Sequence, residues 1–208
     1  MVSPKHADPF HAAEKSDGQV RDSQPLFHQY GAEVQRFGDV RLFPIALGYN
    51  ARVESCQLLN HILADTIILY NLYKKHHWLV RGHTFYQLHL LLDKHADEQL
   101  KLVDLMAERV QTLGGVAVAD PRHVAELTTI PRPPNGAEQV PAMLSRLLEA
   151  HEILITKVRD AVDKTADNRD DGTNDILVSD VLRTNELQVW FIAEHLVDVP
   201  AVRIDQDG

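Results

Sequence analysis

Nowhere in this 208-residue chain do apolar and polar residues alternate as they would along a half-buried strand. Four long stretches instead repeat apolar residues at three- and four-residue steps, the period of an amphipathic helix. The first runs from about Asn50 to about Trp78, with Leu58, Leu59, Ile62, Ile68, Leu69 and Leu72 on its stripe. Gly82, flanked by Arg81 and His83, marks a tight turn, and Thr84 is placed to cap a second helix. That helix runs to Leu113 and stops at Gly114-Gly115. Residues 116–137 are irregular: Asp120-Pro121 opens a short helix through Glu126, and IPRPPNG is a proline-fixed loop. A third helix spans about Ala137–Ala166, the turn-rich DNRDDGTND breaks the chain, and a fourth helix runs from about Thr173 to Val197. Four long helices, a long link between the second and third, and no sheet predict an all-α four-helix bundle with a crossover connection that carries a short helix.

The bundle is expected over residues 49–198. Residues 1–48 contain Pro4, Pro9, Pro25 and Pro44 and no sustained helical period, so they read as a loosely structured arm that packs on the body or on a neighbour. Residues 199–208 are a short tail. One cysteine, Cys56, allows no intramolecular disulfide, which fits a reducing cytosol. No basic region followed by an apolar run opens the chain, and no stretch is long and apolar enough for a membrane span, so neither a signal peptide nor a membrane segment is expected. The net charge of −9 argues against a general nucleic-acid binder, makes direct DNA binding doubtful, and suits a collector of cations. With 12 histidines, metal ligation by imidazole is the first chemistry to look for.

The second helix carries it. His89 and Asp93 are four residues apart, as are Asp104 and Glu108. At 100° per residue the four sit at about 0°, 40°, 60° and 100°, on one face. Asp93 and Asp104 are nevertheless roughly 16 Å apart along the axis, whereas metal–ligand bonds are only ~2.0–2.5 Å. One straight helix cannot close a site from both pairs. The pairs share a midpoint between residues 98 and 99. Two copies packed antiparallel about a two-fold axis there would set His89 opposite Glu108 of the second copy and Asp93 opposite its Asp104. Each of the two resulting sites has one imidazole and three carboxylates, and His77 at the end of the first helix could add a second imidazole. Mixed nitrogen and oxygen ligands suit iron(II), manganese or zinc better than copper(I) or calcium. Trp78 is placed to pack over the site and shield a reactive species. Taken alone, His89 with Asp93 reads as a surface pair, and Asp104 with Glu108 as partners for Lys101 or Arg109. The shared midpoint and the adjacent His77-Trp78 favour the joint site.

His77-Trp78, Arg81-Gly82, Phe85, Leu88-His89, Asp93, Asp104 and Ala107-Glu108-Arg109, with Leu113-Gly114-Gly115, resemble the signature of Dps proteins, the DNA-binding proteins from starved cells. The resemblance extends over residues from about 50 to 198, including the Trp190-to-His195 segment. It implies a ferritin-like bundle assembled as a hollow homododecamer built from two-fold dimers. It also implies a ferroxidase centre between two subunits, with His77, His89 and Asp93 from one chain and Asp104 and Glu108 from the other. Such proteins oxidise iron(II), preferably with hydrogen peroxide, or with dioxygen. They store the ferric product in the shell and so protect DNA from oxidative damage in the bacterial cytoplasm or nucleoid. Zinc is an expected competitor for the site. The long, nearly neutral arm departs from the lysine-rich DNA-binding tail of many relatives.

Other candidates are weaker. His6, His11 and Glu14 could hold an extra metal in the arm. His76 could tune the ligands from behind. His76, His83 and His95 otherwise read as solvated or hydrogen-bonded, and His61, His151 and His195 as core or interface histidines. The acidic run Asp163, Asp167, Asp170, Asp171 and Asp175 reads either as a solvated turn or, around a three-fold axis, as a channel that draws cations inward. Cys56 reads as a small buried side chain. The competing functions are a structural DNA-condensing protein, a ferritin relative with its site inside one bundle, and a zinc hydrolase. The second would need Glu-x-x-His pairs that are missing at the required places, and for the third no general base can be named.

Overall fold

The computed structural model describes residues 33–197. The chain divides into a unit ending at Val34 and a unit from Gln35 onward, and everything below concerns the second. The arm residues His6, His11 and Glu14 and the tail from 199 lie outside the described residues.

The helical stripes fold as expected, with sharper ends. Helix α1 is Tyr49–Leu79, α2 Phe85–Thr112, α3 Pro121–Leu127 and α4 Val140–Asp167. A last composite helix consists of α5 (Asp171–Asp175), a π-helical stretch (Ile176–Leu182), α6 (Arg183–Ala193) and a 3₁₀ turn (Glu194–Leu196). There is no strand among the described residues. Helix α1 packs along α2 and α4 and is crossed by α3, and the last helix closes the bundle against α4. Leu59, Ile62, Leu63 and Leu69 from α1 meet Leu88, Leu92, Met106 and Val110 from α2, Leu147, Leu154 and Val158 from α4, and Leu177, Val181 and Ile192 from the last helix. Each full burial of such a side chain stabilises the fold by roughly 1.5–3 kcal/mol before entropy is set against it.

Three details depart from the sequence expectation. Thr84 occupies the N-cap of α2, but its side chain makes no capping hydrogen bond. The turn is set instead by Gly82 at φ +101° and by a bond from Phe85 N to Gly82 O of 3.1 Å. The last helix starts at Asp171, not Thr173, because Asp170 caps it, accepting from Thr173 N at 3.1 Å. It is also not a single α-helix: the π-helical stretch fits extra residues into its middle, which apolar periodicity alone could not reveal.

Two polar anchors fix the connections that position α2. Residues 35–48 lie along the bundle as a strap. Arg41 N donates to Gly114 O at 2.9 Å, Gln35 Nε2 donates to the same oxygen at 2.8 Å, and buried Arg52 donates to the carbonyls of Arg41 (2.8 Å) and Leu113 (3.2 Å). Gly114 ends α2 at φ +92°, and a Cβ there would meet the Arg41 carbonyl oxygen at 2.3 Å, so only glycine fits. On the crossover, fully buried Asp65 accepts from Thr128 Oγ1 (2.7 Å), from Thr129 N (2.8 Å) and from the Lys157 ammonium. That gives a buried carboxylate the partners it requires.

Candidate metal centre

His77 ends α1 and His89 lies one turn into α2, so the Gly82 turn folds them against each other. Their rings stack with centroids 3.8 Å apart. His77 Nδ1 donates to the backbone carbonyl of His89 at 2.8 Å, and His89 Nδ1 donates to that of His77 at 3.0 Å. A carbonyl only accepts, so each Nδ1 carries the proton and each Nε2 keeps its lone pair. That is the tautomer an imidazole needs to bind a cation, with the ring held by a second bond from behind. Asp93, one turn past His89, brings Oδ1 to 3.7 Å from His77 Nε2. Three of the five expected ligands therefore gather within one chain.

The cationic ammonium of Lys74 lies against them, 2.5 Å from Asp93 Oδ1. Its hydrogen bond holds the Asp93 carboxyl below the usual aspartate range and pushes the ammonium up. The carboxylate is thus ionised and occupied by a positive charge of the protein's own. Trp78 does not cover the imidazoles within the chain. It is 70% exposed, with the Lys74 ammonium 6.0 Å from its ring centroid.

Asp104 and Glu108 lie further along α2 and are both exposed. They join no ion pair among the described residues. Arg109, one alternative partner, is engaged elsewhere: its Nη2 is 2.6 Å from Asp170 Oδ1 and its Nε donates to Thr173. The reading of Asp104 and Glu108 as structural salt-bridge partners therefore fails. They stand unpaired on the same outer face of α2 as Leu100 and Val103, beside a shallow recess lined by Asp97, Leu100, Lys101 and Ala107. Trp78, Phe85, Tyr86, Leu90 and Leu100 are all exposed around this face, a grouping of apolar side chains of the kind that marks an interaction surface.

The other candidates sort by burial. Asp170 leaves the proposed acidic channel: it is 1% exposed, and although burial alone would raise its pKa, hydrogen bonds from Thr173 and the Arg109 charge hold it low. Asp163, Asp167, Asp171 and Asp175 remain exposed. His151 is a core histidine as expected, whereas His61 and His195 are exposed on the chain. His83 is exposed, but His76 and His95 are buried, and each has a ring nitrogen without a hydrogen-bond partner. Burial lowers both to about 4. Cys56 is buried and pushed up to about 11, so it is an inert thiol. What the sequence reading missed is Lys74. Its spacing puts it three residues before His77 on the same helical face, but the partner it meets, Asp93, lies on the other helix.

Three comparisons bear on this arrangement. The family model of the ferritin-like domain matches residues 56–202. The chain is 64% identical over 144 residues to an uncharacterised protein of Kitasatospora aureofaciens, covering 69% of this chain and 96% of that one. It is 33% identical over 165 residues to the nutrient stress-induced DNA-binding protein of a Synechococcus strain, covering 78% and 92% of the two chains. Among solved structures, DpsC from Streptomyces coelicolor superimposes with a TM-score of 0.82 at 68% identity, over 83% of this chain and all of that one. An archaeal Dps homologue from Halobacterium salinarum gives 0.79 at 26% identity, over 82% and 95%. The charge-based doubt about DNA finds no support among relatives of this kind.

Proposed function

The chain belongs to the Dps family of ferritin-like proteins, and on that premise we propose that it oxidises iron(II) with hydrogen peroxide at centres shared between two subunits. His77, His89 and Asp93 of one chain bind the substrate ions together with Asp104 and Glu108 of a second chain, related by a two-fold axis between residues 98 and 99 of α2. The ferric product is stored in a hollow dodecamer, in the bacterial cytoplasm or beside the nucleoid, which protects DNA. Dioxygen is the slower oxidant, and zinc competes for the same nitrogen and oxygen donors.

The observation that carries this reading is the pair of reciprocal Nδ1–H···O=C bonds, which leave two Nε2 lone pairs beside an ionised Asp93. The unpaired Asp104 and Glu108, on an exposed and partly apolar face, supply the missing oxygens only from another copy. The chemistry balances as two iron(II), one peroxide and two protons giving two iron(III) and two waters. The protein's part is to hold donors whose charge tolerates the change in the ion, and to release Asp93 from Lys74 as the substrate cation replaces the ammonium.

Subunit complementation tests it. A His77→Ala/His89→Ala chain and an Asp104→Ala/Glu108→Ala chain are each expected to be inactive. Co-assembled, every mixed two-fold pair regains one intact centre of its two, and iron(II) oxidation with peroxide returns. If either parent alone is active, or mixing restores nothing in a verified mixed assembly, the shared centre is wrong.

A second reading, DNA binding, is favoured by the name of the Synechococcus relative. A gel-shift titration at low salt and neutral pH decides it. With a net charge of −9, retention of DNA there would require the arm or a local basic patch to act against the net charge.

A further inference from the structure

The bundle interior holds a second polar cluster that the centre does not use. Tyr73 of α1 is fully buried, and its hydroxyl lies 2.5 Å from Nε2 of His151 on α4, also fully buried. The hydroxyl has no other hydrogen-bond partner among the described residues, so the phenol donates and the imidazole accepts. His95 of α2 packs edge-on against Tyr73, with centroids 5.4 Å apart. Gln99 reaches across to Asn185 (3.0 Å) and Gln188 (2.9 Å) on the last helix. His95 Nδ1, His151 Nδ1 and Gln99 Oε1 nevertheless remain buried without partners. Each such atom gives up its bonds to water on folding and gains none in return. An apolar core would avoid that cost, so the cluster asks for a role.

Its position suggests one. Tyr73 precedes His77 by one helical turn, about 6 Å of rise along α1. His95 follows Asp93 by two residues on α2. The phenol therefore sits between the two helices that carry the imidazoles and the first carboxylate. We propose that Tyr73 is an electron donor to the oxidation at the centre, with His151 as the base that receives its proton.

This rests on the ferroxidase reading. When a centre holds two iron(II) ions, they supply the two electrons that a peroxide needs. When it holds only one, an electron is lacking, and a one-electron reduction of peroxide would release hydroxyl radical. Tyr73 supplies the second electron. One iron(II), one Tyr73–OH hydrogen-bonded to His151, one peroxide and two solvent protons give one iron(III), two waters, a neutral Tyr73 phenoxyl and a His151 imidazolium. The O–H bond of Tyr73 breaks, its proton forms the N–H bond at His151 Nε2, and its electron goes to the peroxide oxygen. Before oxidation the pair rests as neutral phenol and neutral imidazole, because burial pushes Tyr73 well up and brings His151 down to about 3.

The test uses the full-length, assembled, metal-free protein. It receives one iron(II) per centre and then peroxide, and is frozen within milliseconds for electron paramagnetic resonance. An organic radical is expected whose hyperfine pattern narrows when the protein carries ring-deuterated tyrosine. Replacing the nitrogen-14 of histidine by nitrogen-15 should change a nitrogen coupling to the radical, because among the described residues Tyr73 is the tyrosine hydrogen-bonded to histidine. Tyr73→Phe should abolish the signal and let spin-trapped hydroxyl radical appear, whereas Tyr70→Phe should keep it. The labelling arms need no variant and stand even if Tyr73→Phe fails to assemble. A radical that survives Tyr73→Phe, one that ignores tyrosine labelling, or none at all while the wild type oxidises iron overturns the proposal. No protein-dependent iron oxidation in the wild type instead overturns the ferroxidase reading itself.

Discussion

At the outer end of the α1–α2 hairpin, His77 and His89 keep their Nε2 lone pairs beside an ionised carboxylate. One turn back, His95 and His151 are sealed among Tyr73, Gln99 and Asn185 with no carboxylate hydrogen-bonded to them. The outer pair is anchored by backbone carbonyls and stands open to charge. The inner pair is driven neutral by burial, to about 4 and about 3. The same side chain is thus made into a cation ligand or a neutral base by what its Nδ1 meets and how much water reaches it. The outer region gives up stability for an incomplete site; the inner one gives it up for a polar core.

If that contrast is right, the outer acids should matter to chemistry and not to folding. Asp104→Ala with Glu108→Ala should slow peroxide-dependent iron oxidation by ~100-fold or more, since they would be direct ligands and even outer partners of ligands cost 10–100-fold. The melting temperature of the isolated subunit fold should hardly move, because both residues are exposed and unpaired. The reverse is expected at the buried pair beside them. Arg109→Ala strands Asp170, which is 1% exposed, and should cost about 3–5 kcal/mol in denaturant unfolding.

Acid should find the inner region next. His95 and His151 have folded pKa values below the unfolded value, so the unfolded chain binds more protons as pH falls below about 6.5. Stability should therefore be level above that pH and decline from there down to about 4 for His95 and about 3 for His151. The loss is on the order of 1–3 kcal/mol per histidine after relaxation of the buried site. His95→Gln should flatten the decline seen in unfolding curves taken across this range, and an unchanged slope would place the titrating groups elsewhere. The smallest effect belongs to the i,i+4 pair of exposed Lys94 and half-buried Glu98 at 2.8 Å. Lys94→Ala should cost no more than about 0.5 kcal/mol and lose even that in high salt.

The sequence carried the outer region further than the inner one. Apolar steps of three and four, Gly82 and Gly114 were enough for the helices and their ends. The shared midpoint of the His89/Asp93 and Asp104/Glu108 pairs was enough to ask for a second copy. Lys74 was passed over because a lysine on an amphipathic helix ordinarily means a solvated face, and only the folded hairpin brings it to Asp93. The Tyr73–His151 contact joins residues 78 positions apart, and no local pattern announces a bond of that kind. The acidic run reads as a solvated turn or a channel lining, and Asp170 belongs to neither because its partner, Arg109, lies on another helix. The π-helical stretch was missed for a different reason: its apolar residues Leu177 and Val181 keep a four-residue step that an α-helix shares.

That stretch has a consequence for how the chain can tolerate change. A turn that closes five residues back in place of four stores surplus chain inside a helix, where a length change would ordinarily rotate everything downstream. Removing a single residue between Ile176 and Leu182 could restore ordinary α-helical winding while leaving Asn185, Gln188 and Ile192 on their present side of the bundle. In most helices the same deletion would carry the following residues about 100° out of phase.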